Sequence, residues 1–142
     1  MAFKLGPRSL LNLRGVHPDL VRVVKRAISI SDIDFTVIEG LRSVSRQKEL
    51  VASGASRTMK SRHITGHAVD IAPYVGGKVR WDWPLFIPIA EAMKEAARVE
   101  NVKIRWGGTW GLLADAPQIN MSVLHKKFPD GPHYELPAVF YP

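Results

Sequence analysis

Starting at Pro18, the stretch "HPDLVRVVKRAISI" places Leu20, Val23, Val24, Ala27 and Ile28 at the i, i+3, i+4, i+7, i+8 spacing of one apolar helix face. Pro18 suits a first helical position. "DFTVIEG" is short, β-branched and aromatic, and it stops at Gly40, so it predicts a strand. "SVSRQKELVASG" predicts a second helix closed by Gly54 in a left-handed cap. "HAVDIAPYV" predicts a second strand, with "VGGKV" turning into a short partner strand, "VRWDW". A third helix is expected from about Pro84 to Glu100, burying Phe86, Ile89, Ala90, Met93 and Ala97. "VKIRWGG" predicts a third main strand and "HYELP" a last short one.

Between those last two strands lies a polar, irregular stretch, "TWGLLADAPQINMSVLHKKFPDGP". Loops this long inside compact domains are more often functional than idle. Helices and strands interleave, yet tight turns join some of the strands. The expected fold is therefore α+β: a small, largely antiparallel sheet flanked by about three helices, in a single domain over residues 1–142.

Composition narrows the chemistry. With 46% hydrophobic and 23% charged residues the chain has the balance of an ordinary globular domain. It contains no cysteine, so any metal must be held by nitrogen and oxygen. No signal-peptide pattern opens the chain, and no apolar run approaches the ~20 residues needed to cross a bilayer. The expectation is a chain made in the cytoplasm, with no stable membrane insertion.

The net charge of +7 is compatible with anionic partners. The basic residues are scattered, however, and no nucleic-acid motif accompanies them, so no nucleic-acid partner is expected. Neither GxGxxG nor a Walker motif is present, which removes support for nucleotide binding.

"SRHITGHAVDI" holds His63 and Asp70 seven residues apart with Gly66 between them. A glycine there lets a loop histidine fold back towards a carboxylate on the following strand. Catalytic zinc commonly takes three imidazole or carboxylate ligands and keeps one position open. The third ligand is expected from "FPDGPHYEL", where His133 opens the last strand. Asp130, three residues earlier, is then a nearby carboxylate outside the ligand set, suited to proton transfer. Taken singly, each histidine reads as surface or hydrogen-bonded, and Asp130 as a turn residue; only the joint pattern points to one zinc ion.

The blocks "SRHITGHAVD" and "DGPHYEL" fit the S-x-H-x-x-G-x-A-x-D and D/E-x-x-H signatures of the zinc peptidase superfamily of D-alanyl-D-alanine carboxypeptidases and L-alanyl-D-glutamate endopeptidases. "GLRSVSRQ" upstream and "WGGTW" downstream also resemble that superfamily. The likeness spans about residues 15 to 137. Within it the chain looks most like the phage endolysins that cut between L-alanine and D-glutamate in peptidoglycan.

That resemblance implies zinc ligands His63, Asp70 and His133, with Asp130 as general base and acid. It implies that Arg42 stabilises substrate or the oxyanion and that Ser61 orients the site or binds substrate; Gln47 and Trp110 match substrate-bordering positions of the family cleft, whereas from the residues alone Gln47 reads as a polar helix-face residue and Trp110 as a core tryptophan. It makes His67 a non-ligand lining the cleft, and leaves His17 and His125 as solvent or capping residues. The implied partners are peptidoglycan stem peptides, cut by a monomer that reaches the wall after a holin opens the inner membrane. Thr109 stands where related endolysins often carry Asp, and Gly111–Phe128 is long for the family, as a specificity loop or a flexible lid would be. Two other readings stay open: a D-alanyl-D-alanine carboxypeptidase or dipeptidase, and a wall-binding module with a structural zinc.

Overall fold

The computed structural model describes residues 2–142. Its helices are α1 (Pro7–Asn12), α2 (Pro18–Ile30), α3 (Val44–Ala52) and α4 (Trp83–Glu100). Its strands are β1 (Phe35–Glu39), β2 (Ala68–Val75), β3 (Lys78–Val79), β4 (Arg105–Trp106), β5 (Gly111–Leu112) and β6 (His133–Glu135). Every strand pairing is antiparallel, in the order β1-β2-β6-β4-β5, with β3 hairpinned onto β2. The expected α+β class is the one observed.

The α2 face is the one the periodicity predicts: Leu20, Val23, Val24, Ala27 and Ile28 are all buried. They pack with the buried side of α4, which adds Ala92 and Ala96 to the five expected residues. Burying each large aliphatic side chain is worth ~1.5–3 kcal/mol, so this layer is a main source of stability. Behind it, Val37, Val69, Ile71, Trp106 and Tyr134 close the core from the sheet. Core and site therefore use opposite faces of the same strands.

Three expectations need correction. A fourth helix, α1, was not predicted because its amphipathicity is inverted. Leu10 and Leu11 face solvent, while Ser9 is buried and its hydroxyl accepts from the Val37 amide at 2.9 Å. The partner strand expected over "VRWDW" is only Lys78–Val79, because Trp83 and Pro84 already begin α4. The "VKIRWGG" strand pairs only at Arg105–Trp106, since the glycines that follow serve a turn instead.

That turn is what positions the chemistry. The Gly107 amide donates to the His133 carbonyl (2.8 Å), and the Asp130 amide donates to the Gly107 carbonyl (2.9 Å). A Cβ on Gly107 would lie 2.3 Å from the Asp130 carbonyl oxygen, so a side chain there would drive the 130–133 turn off the sheet. "WGG" and "DGPH" are thus two halves of one local structure.

Candidate active site

The sheet register builds a row of polar side chains. Asp70 in the middle of β2 stands opposite Glu39 of β1 on one side and His133 of β6 on the other. Residues directly opposite one another share a face, so all three project to the side away from the core. Glu135, two residues beyond His133, repeats on that face beside Arg105 of β4.

His63 joins this row from the loop before β2. Gly66 adopts φ +77, and its absent Cβ leaves room for the Gly15 carbonyl, so the chain reverses sharply just after His63. The loop is zipped to residues 40–42 by the Arg42 amide donating to the His63 carbonyl at 2.9 Å. His63 is almost wholly buried, at 2% exposure.

Each histidine has one ring nitrogen committed outwards. His63 Nδ1 lies 2.9 Å from the Gly40 carbonyl, which can only accept, so Nδ1 carries a proton and Nε2 is the nitrogen turned inwards. His133 Nε2 lies 2.7 Å from a Glu135 carboxylate oxygen, which leaves Nδ1 facing inwards. The two inward nitrogens stand 3.2 and 3.5 Å from the same Asp70 oxygen. One donor atom from each of His63, Asp70 and His133 lies within 4.8 Å of the others. Two imidazole nitrogens converging on one carboxylate oxygen need a proton or a metal cation between them. The donor set fits a metal ion.

The electrostatics carry the same mark. Burial alone would raise the Asp70 carboxyl, but hydrogen bonds and charge from His133 and His63 outweigh it and hold it well below the usual carboxylate range. Burial would lower His133, yet Asp70 and Glu135 push it up to about 9. Asp130 is raised, first by burial and then by the negative charge of Asp70.

Arg42 lies on the other flank, only 10% exposed. Its guanidinium bonds to Glu39, to Gln47 Oε1 at 2.8 Å and to Ser61 at 3.5 Å, and stands 3.6 Å from the second Asp70 oxygen. Gln47 is fully buried, and its amide donates to Ser56 and the Thr58 carbonyl, so it braces Arg42 from below. Ser61 accepts from the His63 amide at 3.2 Å. Trp110 covers the far side, its ring centroid 5.4 Å from that of His133.

Apart from Gln47, which is buried beneath Arg42 and does not reach the cleft as expected, these residues surround a cleft of about 620 Å³. A larger cavity of about 800 Å³ lies elsewhere, between α4 and residues 112–120, and contains none of these groups. His67 does not line the cleft as expected: it stacks near His17 and Tyr141. His17 caps α2 by accepting from the Asp19 amide.

Sequence reasoning missed Glu135 and Glu39. The signal was available as H-x-E on a strand, since residues i and i+2 share a face. A carboxylate that receives the outer N–H of a ligating histidine fixes the ring and raises its basicity. Glu135→Gln should therefore weaken metal affinity about 10- to 100-fold, measured by competition against a chromogenic chelator. Unchanged affinity would mean that strand geometry alone orients His133.

The fold and this site define an α+β peptidase. The chain superposes on the crystal structure of the Serratia marcescens L-Ala D-Glu endopeptidase ChiX with a TM-score of 0.83 and 44% identity, covering 100% of this chain and 94% of that one. It belongs to the phage L-alanyl-D-glutamate peptidase family, whose model matches residues 1–137. The L-alanyl-D-glutamate peptidase of Escherichia phage T5 is 38% identical over 119 residues, 81% of this chain and 87% of that protein. That of Listeria phage A118 is 28% identical over 118 residues, 81% of this chain but 41% of the relative.

Proposed function

We propose that the protein is a zinc-dependent endopeptidase that hydrolyses the L-alanyl-D-glutamate bond of peptidoglycan stem peptides during host-cell lysis. The observation that carries the reading is the inward-facing His63–Asp70–His133 group with Asp130 beside it, in a chain of this family. The ion would be held by His63 Nε2, an Asp70 oxygen and His133 Nδ1. Zinc is the metal we favour, because two imidazoles and one carboxylate with a position left open are a ligand set that catalytic zinc takes.

When bound, such an ion supplies Lewis acidity, polarising the scissile carbonyl and making water nucleophilic near neutral pH. The protein's own groups do the rest. Asp130, held out of the ligand set by its turn, takes a proton from the attacking water and returns it to the leaving amine. Arg42, fixed by Glu39 and Gln47, presents a preorganised cation on the Asp70 side for the developing oxyanion. Ser61 holds the His63 loop, and Trp110 walls the cleft against water. All these residues come from one chain, so a monomer suffices.

Among the described residues no helix is long and apolar enough to cross a membrane. The proposed setting is wall cleavage after a holin opens the inner membrane.

Digestion of purified peptidoglycan tests the reading. Mass spectrometry of the products should find new L-alanine carboxyl ends and new D-glutamate amino ends, formed only with the metal present. Release of terminal D-alanine instead would make the enzyme a carboxypeptidase.

A further inference from the structure

The cleft is lined by five basic side chains, and four of them are tied down, peripheral or, in the case of Arg42, already assigned to the oxyanion. Arg42 is committed to Glu39 and Gln47. Arg62 donates to the Leu136 and Tyr141 carbonyls, tying down the C-terminal segment. Arg46 pairs with Glu49 on the exposed side of α3, and Lys60 stands on an exposed loop. The fifth, Arg105, is built differently.

Its Nε donates to the Trp110 carbonyl at 3.0 Å, and its guanidinium carbon lies 5.0 Å from the Trp110 ring centroid. Trp110 itself adopts φ 55, an unusual conformation for a bulky residue that turns its carbonyl and ring together onto the arginine. Nη1 stands 3.6 Å from Glu135, and among the described residues Nη2 has no hydrogen-bond partner. The side chain is 41% exposed. The result is a guanidinium with a fixed stem and one open edge. It lies two contacts from His133, through the 2.7 Å bond between Glu135 and that ring.

We infer that Arg105 is a specificity residue that receives the free carboxylate of the substrate's glutamyl residue. This rests on the endopeptidase reading above. Glutamate has two carboxyl groups and a peptide chain continues through only one, so the other stays anionic unless it is amidated. That group belongs to the residue supplying the leaving amine, a few bonds from the scissile nitrogen, so it falls beside the metal group. A planar guanidinium edge matches a carboxylate with two parallel N–H donors, whereas a primary amide offers one acceptor and an N–H₂ that faces the arginine unfavourably. The enzyme therefore discriminates walls by the amidation state of their glutamate.

Two synthetic stem peptides, identical except for amidation of that carboxyl, provide the test. The wild-type enzyme should favour the carboxylate form about 10- to 100-fold in kcat/KM. Arg105→Gln should collapse that ratio towards one, chiefly through the carboxylate substrate's KM, and Arg105→Lys should restore part of it.

Equal wild-type rates on the two peptides would overturn the inference without any variant being made. So would Arg105→Gln slowing both peptides alike with weakened metal affinity, because the arginine would then act through Glu135. If neither peptide is cut at the Ala–Glu bond, the endopeptidase reading fails first. That outcome differs visibly from cleavage without selectivity.

Discussion

Asp130→Asn is expected to lower kcat about 10²- to 10⁴-fold while leaving metal content near about one ion per chain. The substitution keeps shape and removes basicity, so it isolates proton transfer. The backbone of Asp130 is pinned independently of its side chain: its amide donates to Gly107, and its carbonyl accepts from the His133 amide at 3.1 Å. The turn should therefore survive the change, and thermal stability should move little. The carboxylate is also not one of the three converging donors. Activity assayed beside metal analysis by mass spectrometry decides the matter. Loss of the ion along with activity would make Asp130 a ligand, and near-normal turnover would assign proton transfer elsewhere.

Asp130→Glu is informative for a different reason. It restores a base but adds one methylene to a side chain held on a tight turn. Intermediate activity would indicate that reach limits the rate.

How much of this was legible in the sequence follows from the range of the physics involved. The helix faces of α2 and α4 were readable because apolar burial repeats locally along the chain. His63, Asp70 and His133 were readable as a set because donor chemistry restricts which residues can join it. The row Glu39–Asp70–His133 was not, since it depends on strand register between segments about 30 and 60 residues apart. Gln47 reads as a polar helix-face residue, yet it is fully buried, and only the three-dimensional supply of partners from Arg42, Ser56 and Thr58 makes that burial tolerable. α1 escaped because pattern reading takes exposed leucines and a buried serine the wrong way round.

Removing the metal should abolish cleavage and lower the melting temperature while leaving the domain folded at 25 °C. The first effect follows from losing the Lewis acid, which no side chain in the cleft replaces. The second follows from mass action: an ion bound at 1,000 times its Kd stabilises the native state by about 4 kcal/mol, roughly 10 °C or more in a domain of this size. The third follows from the architecture. The core of α2, α4 and the sheet's inner face, with Leu20, Val24, Ile71, Ile89 and Met93 buried, makes no use of the site residues. Without the ion, a protonated His133 between Asp70 and Glu135 can hold the row together, since its pKa is pushed up to about 9. Chelation followed by circular dichroism, melting curves and zinc add-back measures all three. If the helical signal vanished on chelation at 25 °C, the ion would be a structural staple; if cleavage persisted without it, the metallopeptidase mechanism would fall.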